Sequence, residues 1–501
     1  TSSRAILFDK QQNIIGISQK EFTQHYPKEG WVEHDPMEIY SSQYAVMMEV
    51  IAQSGVDVKD IKGIGITNQR ETTILWDAKT GRPVYNAIVW QCRRTADRID
   101  QLKQQGLEEY IRKTTGLVPD AYFSATKIAW ILDHVPQGRE RAKKGEILFG
   151  TVDSWLIWKL TEGAVHAVAS SNASSLGCYD LKEKKWYQPI FDHLKVPVSI
   201  FPEVLDDAAD YGTTNLFGSP IPITGAIADQ QSALFSENCH QAGSAKCTNG
   251  TGTFMDINAT ILIMTPLLLP VAQTYGIDPI HFGAIMLVNM CVGFLTPPFA
   301  VGIFVSTKIA VTGSAVQWLR DGLQIINSSA ETEEIAASVE DTNGVYFVPT
   351  LAGINCPEYD PFARGLIAGI SRGATKAHLV RATLEGIAFS LADIMNVVKD
   401  RTGISVNNLQ IDGGASKNNL LAQMIADYTQ ASVSRPNSVE ATALGGAEMA
   451  LIGAGLAKQE DFASVMDIDR TFTPQMDDEK RTKNYEGWER ARKRAGKWLV
   501  E

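Results

Sequence analysis

Arg70 and Glu71 stand side by side in "GITNQRETT" (65–73), just after a run that reads as a β-strand. A guanidinium and a carboxylate at a strand end can grip hydroxyl groups from both sides, Glu71 accepting hydrogen bonds and Arg70 donating them. The plain alternative is a surface ion pair, which contributes little. Asp229 follows the small apolar strand of "GAIADQQSALF" (225–235) and precedes a helical run. A carboxylate there either caps the helix or serves as a general base that takes a proton from an alcohol. Three small-residue turns suit phosphate. "TNGTGTF" (248–254) sets Gly250, Thr251 and Gly252 where backbone N–H groups can approach it closely. "IDGGASKNN" (411–419) follows a strand and opens a helix, whose N-terminus can seat a nucleotide. "TSSR" at residues 1–4 offers hydroxyls and one arginine. None of the three matches the Walker loop or the dinucleotide-binding glycine pattern, and each also reads as an ordinary turn.

The elements that must position these residues alternate in type. "AILFD", the polar turn "KQQN" and "IIGIS" read as a hairpin. "KGIGIT" (62–67), "TTILWD" (72–77) and "NAIVW" (86–90) continue as strands, with "AKTGRP" turning between the last two. Helical periodicity appears in "SATKIAWILDHV" and "SWLIWKLT", and again over 378–398 with a stripe through Leu379, Ala382, Ile387, Leu391 and Met395. "ATALGGAEMALIGAGLA" reads as a small-residue helix suited to tight packing. The charged tail "DEKRTKNYEGWERARKRAGKWL" reads as a solvated amphipathic helix closing its domain. The class is therefore α/β, with domains over 1–238 and 239–501.

The chain has 501 residues and a net charge of −11. With no basic excess to offset phosphates, nucleic acid is excluded as the main partner. Six cysteines without paired spacing argue against a disulfide framework or a zinc site. "TSSRAILFDK" has no signal-peptide pattern, so a cytoplasmic location is expected.

One stretch does not fit. From Ile257 to Thr307 the only formal charge is Asp278, and prolines fall at 266, 270, 279, 297 and 298. A membrane span needs about twenty apolar residues. Residues 282–305 are long enough but carry Pro297 and Pro298 near their middle.

"GWVEHDPMEIY", "GITNQRETTILW", "NAIVWQCRRTA", "YFSATKIAWILDH", "FGTVDSWLIWKLT", "VTGSAVQWLRD" and "LQIDGGASKNN" together resemble the glycerol kinases of the FGGY carbohydrate kinase family, over roughly 1–256 and 311–501. The resemblance implies two actin-like, ribonuclease-H-like domains with ATP and substrate in the cleft between them. It implies that Arg70, Glu71, Tyr122 and Asp229 hold the glycerol hydroxyls with help from Gln230, while Trp90 and Phe254 pack against its carbons. Asp229 is then the base. Thr1, Ser2, Arg4 and Thr251 would face the phosphates, and Gly313, Gln317, Gly414 and Asn418 the nucleotide, with Mg²⁺ present. Positioning and Mg²⁺ electrostatics would supply most of the catalysis. A homo-oligomer, dimer or tetramer, is also implied.

Four departures accompany the resemblance. The strand and Asp-x-Gly-Thr loop that precede "TSSR" in the family are absent, so a missing first strand is expected. Residues 259–310 instead resemble the large membrane subunit of TRAP transporters, and are expected to form a foreign, apolar, helical segment. "AVASSNASSLG" (167–177) lacks the acid and arginine usual around "NAS", which weakens the expected support on the substrate side. "FGSPIPITG" lacks the arginine of the fructose 1,6-bisphosphate loop, so regulation by that sugar is not expected. The readings left open are a glycerol kinase of full or impaired activity, another FGGY sugar kinase, a non-catalytic or membrane-associated protein, and a chimeric product; a membrane partner is not expected.

Overall fold

A computed structural model describes residues 2–239, 245–249, 253–258, 304–310, 312–351, 353–354, 356–357, 360, 362–403, 405–437, 440–462 and 468–498. The chain divides into two compact units, Thr1–Ser232 with Thr442–Phe462, and Ala233–Ala441 with Ala463–Glu501.

In the first unit, β1 (Ser2–Phe8) and β2 (Ile14–Glu21) pair antiparallel, as the alternating pattern around "KQQN" predicts. The turn is fixed by Asp9, whose carboxylate accepts from the N–H groups of Gln11 and Asn13. Helix α1 (Pro36–Ser54) packs on this hairpin. Asp35 caps its start, Pro36 occupies its first turn, and Gly55 ends it in the left-handed conformation.

The strands that matter most are β3 (Ile64–Asn68) and β4 (Ile74–Asp77), joined by the loop that carries Arg70 and Glu71. Helix α2 (Ser124–His134), β5 (Ile147–Gly150) and α3 (Val152–Leu160) follow. Then β6 (Ile221–Ala228) runs parallel to β3, with Ile66 opposite Ala226 and Asn68 opposite Ala228. Nearly every β6 side chain is buried, as expected of a parallel strand covered on both faces. Helix α4 (Asp229–Ser236) starts directly from its end. Ile66, Ile74, Trp76, Trp155, Ile157, Tyr211 and Ile223 form the core around these strands.

Two glycines let the helix Ala441–Gly453 lie directly on this sheet. A Cβ on Gly65 would sit 1.9 Å from the Gly446 carbonyl oxygen, and one on Gly225 would sit 2.5 Å from the Ala450 nitrogen. The small-residue composition of that helix thus serves backbone-to-backbone packing, as its sequence suggests.

The second unit is built on a six-stranded sheet. Its members are β7 (Ala245–Asn249), β8 (Thr253–Asn258), β9 (Phe304–Ala310), β10 (Asn408–Asp412), β11 (Ser432–Pro436) and β12 (Ile468–Phe472). They lie in the order β9-β8-β7-β10-β11-β12, with β7, β10 and β11 parallel. Helix α5 (Lys376–Thr402) buries Ala382, Ile387, Leu391 and Met395 of the expected stripe, leaves Leu379 half-buried, and also buries Val380, Leu384, Ala388 and Phe389. Helix α6 (Asn419–Thr429) follows β10 through a short turn. The charged tail forms α7 (Asp478–Ala495), anchored by Trp488, which stacks on Phe389 with 5.3 Å between ring centroids. The Trp488 indole N–H also donates to Asp393 at 2.9 Å.

Most of the segment expected to be foreign, apolar and helical, residues 259–303 of 259–310, lies outside the described residues. Its last seven residues depart from the helical expectation. Phe304–Ala310 is strand β9, paired antiparallel with β8. Val305, Thr307 and Ile309 alternate there with Ser306 and Lys308, a period of two that suits a strand. Among the described residues, no helix is long and apolar enough to cross a membrane.

Candidate active site

The register of β3 against β6 brings together residues that lie far apart in the chain. Because Asn68 pairs with Ala228, the residues that follow each strand emerge at the same end of the sheet. Arg70 and Glu71 come from one strand end and Asp229 from the other. In open α/β sheets, ligand sites form at such carboxyl ends.

Arg70 and Glu71 are not a surface pair. Their side chains are 6% and 2% exposed, with the Arg70 Nε 3.6 Å from a Glu71 oxygen and 3.2 Å from Asp229 Oδ1. One guanidinium therefore bridges two carboxylates. Glu71 adopts a φ of 57°, an uncommon conformation for a residue with a side chain. Its carbonyl is held by two hydroxyls, Ser124 Oγ at 2.8 Å and Thr73 Oγ1 at 3.1 Å. Local strain of this kind persists only where neighbours enforce it, and it clusters at functional sites.

Burial pushes the Glu71 carboxyl up to about 7; the Arg70 cation opposes this and the Asp229 carboxylate reinforces it. Tyr122 is pushed well above the usual phenol range, first by burial and then by Glu71. It stays a neutral O–H beside the carboxylates. Trp90 meets the Tyr122 ring edge to face at 5.6 Å, so indole and phenol form one apolar wall. The Tyr122 backbone N–H donates to Asp120 at 2.7 Å, and Asp120 in turn pairs with Arg93. Asp229 differs in being the more open acid, 29% exposed. Gln230, buried beside it, donates its backbone N–H to Asp229 Oδ1 at 2.8 Å. Asp229 sits within the first turn of α4, so its capping and chemical readings are compatible.

The expected weakening at "NAS" does not follow from the geometry. Asn172 and Asn68 exchange side-chain amide hydrogen bonds of 2.9 and 3.1 Å, which pins the end of β3. Ser171 Oγ accepts from the Ala228 N–H at 2.9 Å, which pins the end of β6. Asn68, Ser171, Asn172, Ser124 and Lys127 were all overlooked by sequence reasoning. The signal available for Lys127 was a charge inside "SATKIAWIL", a helix buried on every side.

The residues expected at phosphates and nucleotide are distributed as follows. Ser2 and Arg4 lie on β1, and both hydrogen-bond to Gln19. Thr1 and Thr251 lie outside the described residues. Phe254 is on β8, opposite Thr248. In the second unit, Gly313 and Gln317 share the short helix Thr312–Gln317. Gly414 opens the turn after β10, and Asn418 caps α6 by accepting from the Leu421 N–H at 2.9 Å. Among the described residues, no three His, Cys, Asp or Glu side chains converge on a metal position.

Comparison with known proteins gives a consistent picture. Residues 1–236 match the N-terminal domain of the FGGY family of carbohydrate kinases, and residues 290–454 match its C-terminal domain. A glycerol kinase of Aeromonas hydrophila is 46% identical over 503 aligned residues, covering 100% of this chain and 97% of its own length. A glycerol kinase of Carboxydothermus hydrogenoformans is 48% identical over 508 aligned residues, with the same coverage. A crystal structure of Plasmodium falciparum glycerol kinase with ADP superposes with a TM-score of 0.81 at 30% identity, covering 99% of this chain and 96% of that one. A xylulose kinase from Lactobacillus acidophilus, 17% identical, shares the fold with a TM-score of 0.76, covering 97% of this chain and 94% of its own.

Proposed function

The chain belongs to the FGGY family of carbohydrate kinases, and from that premise we propose that it phosphorylates glycerol with ATP, giving sn-glycerol 3-phosphate. The observation that carries the substrate is the buried Arg70–Glu71 pair with Asp229 at its open side. A small polyol needs donors and acceptors in fixed alternation, and this cluster supplies both. Glu71 accepts from one hydroxyl and Arg70 donates to its neighbour. The phenol of Tyr122 and the side chain of Gln230 add further hydrogen bonds, while Trp90 and Phe254 cover the carbons.

Asp229 acts as the general base. The terminal hydroxyl oxygen attacks the γ-phosphorus, its O–H proton passes to the Asp229 carboxylate, and ADP leaves as the β–γ bridging bond breaks. The turn that carries Gly414 and Asn418, together with Gly313 and Gln317, is assigned to the nucleotide, and the structure of a similar glycerol kinase with ADP supports a nucleotide as co-substrate. Thr1, Ser2, Arg4 and Thr251 are assigned to the phosphates. Mg²⁺ neutralises phosphate charge when bound. A cytoplasmic location, where ATP is plentiful, and a dimer or tetramer are part of the same proposal. Residues 259–289 lie between the two family matches and residues 290–303 within the second, so the segment occupies kinase positions rather than being added to them. Support for this is that relatives of similar length align across the whole chain.

Comparing kcat/KM for glycerol and xylulose under saturating ATP tests the assignment. Glycerol is expected to win by at least about a hundredfold, because a pocket built for hydrogen bonds rejects a poor match strongly. Parity, or a preference for xylulose, makes the chain another sugar kinase of the family.

The raised Glu71 carboxyl sets a pH dependence. Arg70, Asp229, Tyr122 and Lys127 all face it, and burial dominates their combined effect. Below pH 7 the acid holds its proton, loses its charge and accepts more weakly from a hydroxyl. The KM for glycerol is therefore expected to be about tenfold higher at pH 6 than at pH 8. Glu71→Gln is expected to flatten that profile. A wild-type KM that stays level between these limits contradicts the role given to Glu71.

A further inference from the structure

Lys127 is fully buried on α2, where every residue from Ser124 to Leu132 is buried. A helix that only had to pack would carry an apolar residue there, since burying an ammonium without partners is costly. Its Nζ donates to the Tyr122 carbonyl oxygen at 2.6 Å and to the Trp90 carbonyl oxygen at 3.4 Å. These carbonyls belong to the two residues whose rings form the apolar wall of the site. We propose that Lys127 is a positioning residue: it ties the main chain of Trp90 to that of Tyr122 and so sets the spacing of indole and phenol around the substrate.

Three further observations agree with this. The ammonium lies within electrostatic reach of Glu71 and of Asp120, the acid that holds the Tyr122 N–H. Burial pulls its pKa down to about 7, and Cys92, Glu71 and Asp120 oppose that pull. Ser124, three residues earlier on α2, holds the Glu71 carbonyl. One turn of α2 thereby fixes three parts of the pocket. The inference rests on the glycerol reading of that pocket.

Lys127→Met removes the donors at nearly constant length, and Lys127→Arg retains them. Glycerol affinity is to be measured by calorimetry as well as by kinetics on the full chain. Lys127→Met is expected to raise both Kd and KM for glycerol by about tenfold, with kcat within about threefold and the KM for ATP unchanged. Lys127→Arg is expected to recover most of the affinity. A purely structural role lowers the melting temperature and the active fraction but leaves the glycerol KM as it was, and that result overturns the proposal. If Lys127→Met cannot be recovered folded, Lys127→Gln takes its place with the same readouts. Wild-type protein that binds glycerol without phosphorylating it removes the kinase reading, while the Kd ratio still judges Lys127. Wild-type protein that does not bind glycerol overturns both.

Discussion

Replacing Asp229 by Asn is expected to lower kcat by about a thousandfold, the usual scale for loss of a positioned general base. The amide keeps an acceptor oxygen where Oδ1 now stands 3.2 Å from the Arg70 Nε, so the KM for glycerol is expected to change only a few-fold. A second effect separates this from simple damage. Asp229 is one of the charges that holds the Glu71 carboxyl up, so the pH at which glycerol affinity falls is expected to move lower in Asp229→Asn. Steady-state kinetics across pH reads both effects from one protein. Retention of full kcat by Asp229→Asn removes Asp229 as the base, whatever happens to the profile.

The second large effect is on stability. Gly65→Ala places a methyl 1.9 Å from the Gly446 carbonyl oxygen and 2.4 Å from its carbon. These are backbone atoms and cannot rotate away, so either β3 or the helix Ala441–Gly453 must shift. The expected destabilisation is about 3 kcal/mol, at the upper end for overpacking, seen as a lower thermal or denaturant midpoint. Because β3 runs directly into Arg70 and Glu71, kcat/KM for glycerol should fall as well. Gly446→Ala provides the control. Its added Cβ would meet nothing nearer than 3.7 Å, and alanine favours the helix by up to about 1 kcal/mol. That variant is expected to be as stable as the parent or more so. Equal midpoints for Gly65→Ala and the parent contradict the close approach.

Much of the site could be read from residue types at strand ends. "RET" after one strand and "ADQ" after another carry the right chemistry at positions where α/β sheets place ligands. What the sequence leaves open is register. Nothing local says that Asn68 pairs with Ala228, and it is this pairing that turns an ordinary-looking ion pair into a guanidinium shared by two acids. Burial was equally hidden. Arg70 and Glu71 look like surface residues until tertiary packing covers them, and packing also decides the shift in the Glu71 carboxyl. Lys127 and the Asn68–Asn172 amide pair escaped for the same reason, since their partners are backbone carbonyls or side chains that only the fold brings near.

The elements themselves were easier. The opening hairpin, α2, α5, the strand–turn–helix through Gly414 and the closing helix all follow local periodicity and turn chemistry. β9 is the exception. Its seven residues end a long uncharged run, and the hydrophobicity of that run masks a two-residue alternation that favours sheet. The return of residues 442–462 to the first unit also has no local signature. It depends on Gly65 meeting Gly446 and Gly225 meeting Ala450 across segments far apart in the chain.

Phosphorus NMR of purified protein with glycerol, ATP and Mg²⁺ tests the central claim most directly. ADP and sn-glycerol 3-phosphate are predicted to appear in equal amounts, and only when glycerol is present. Hydrolysis of ATP without a glycerol phosphate signal, or no turnover from protein shown to be folded, contradicts it.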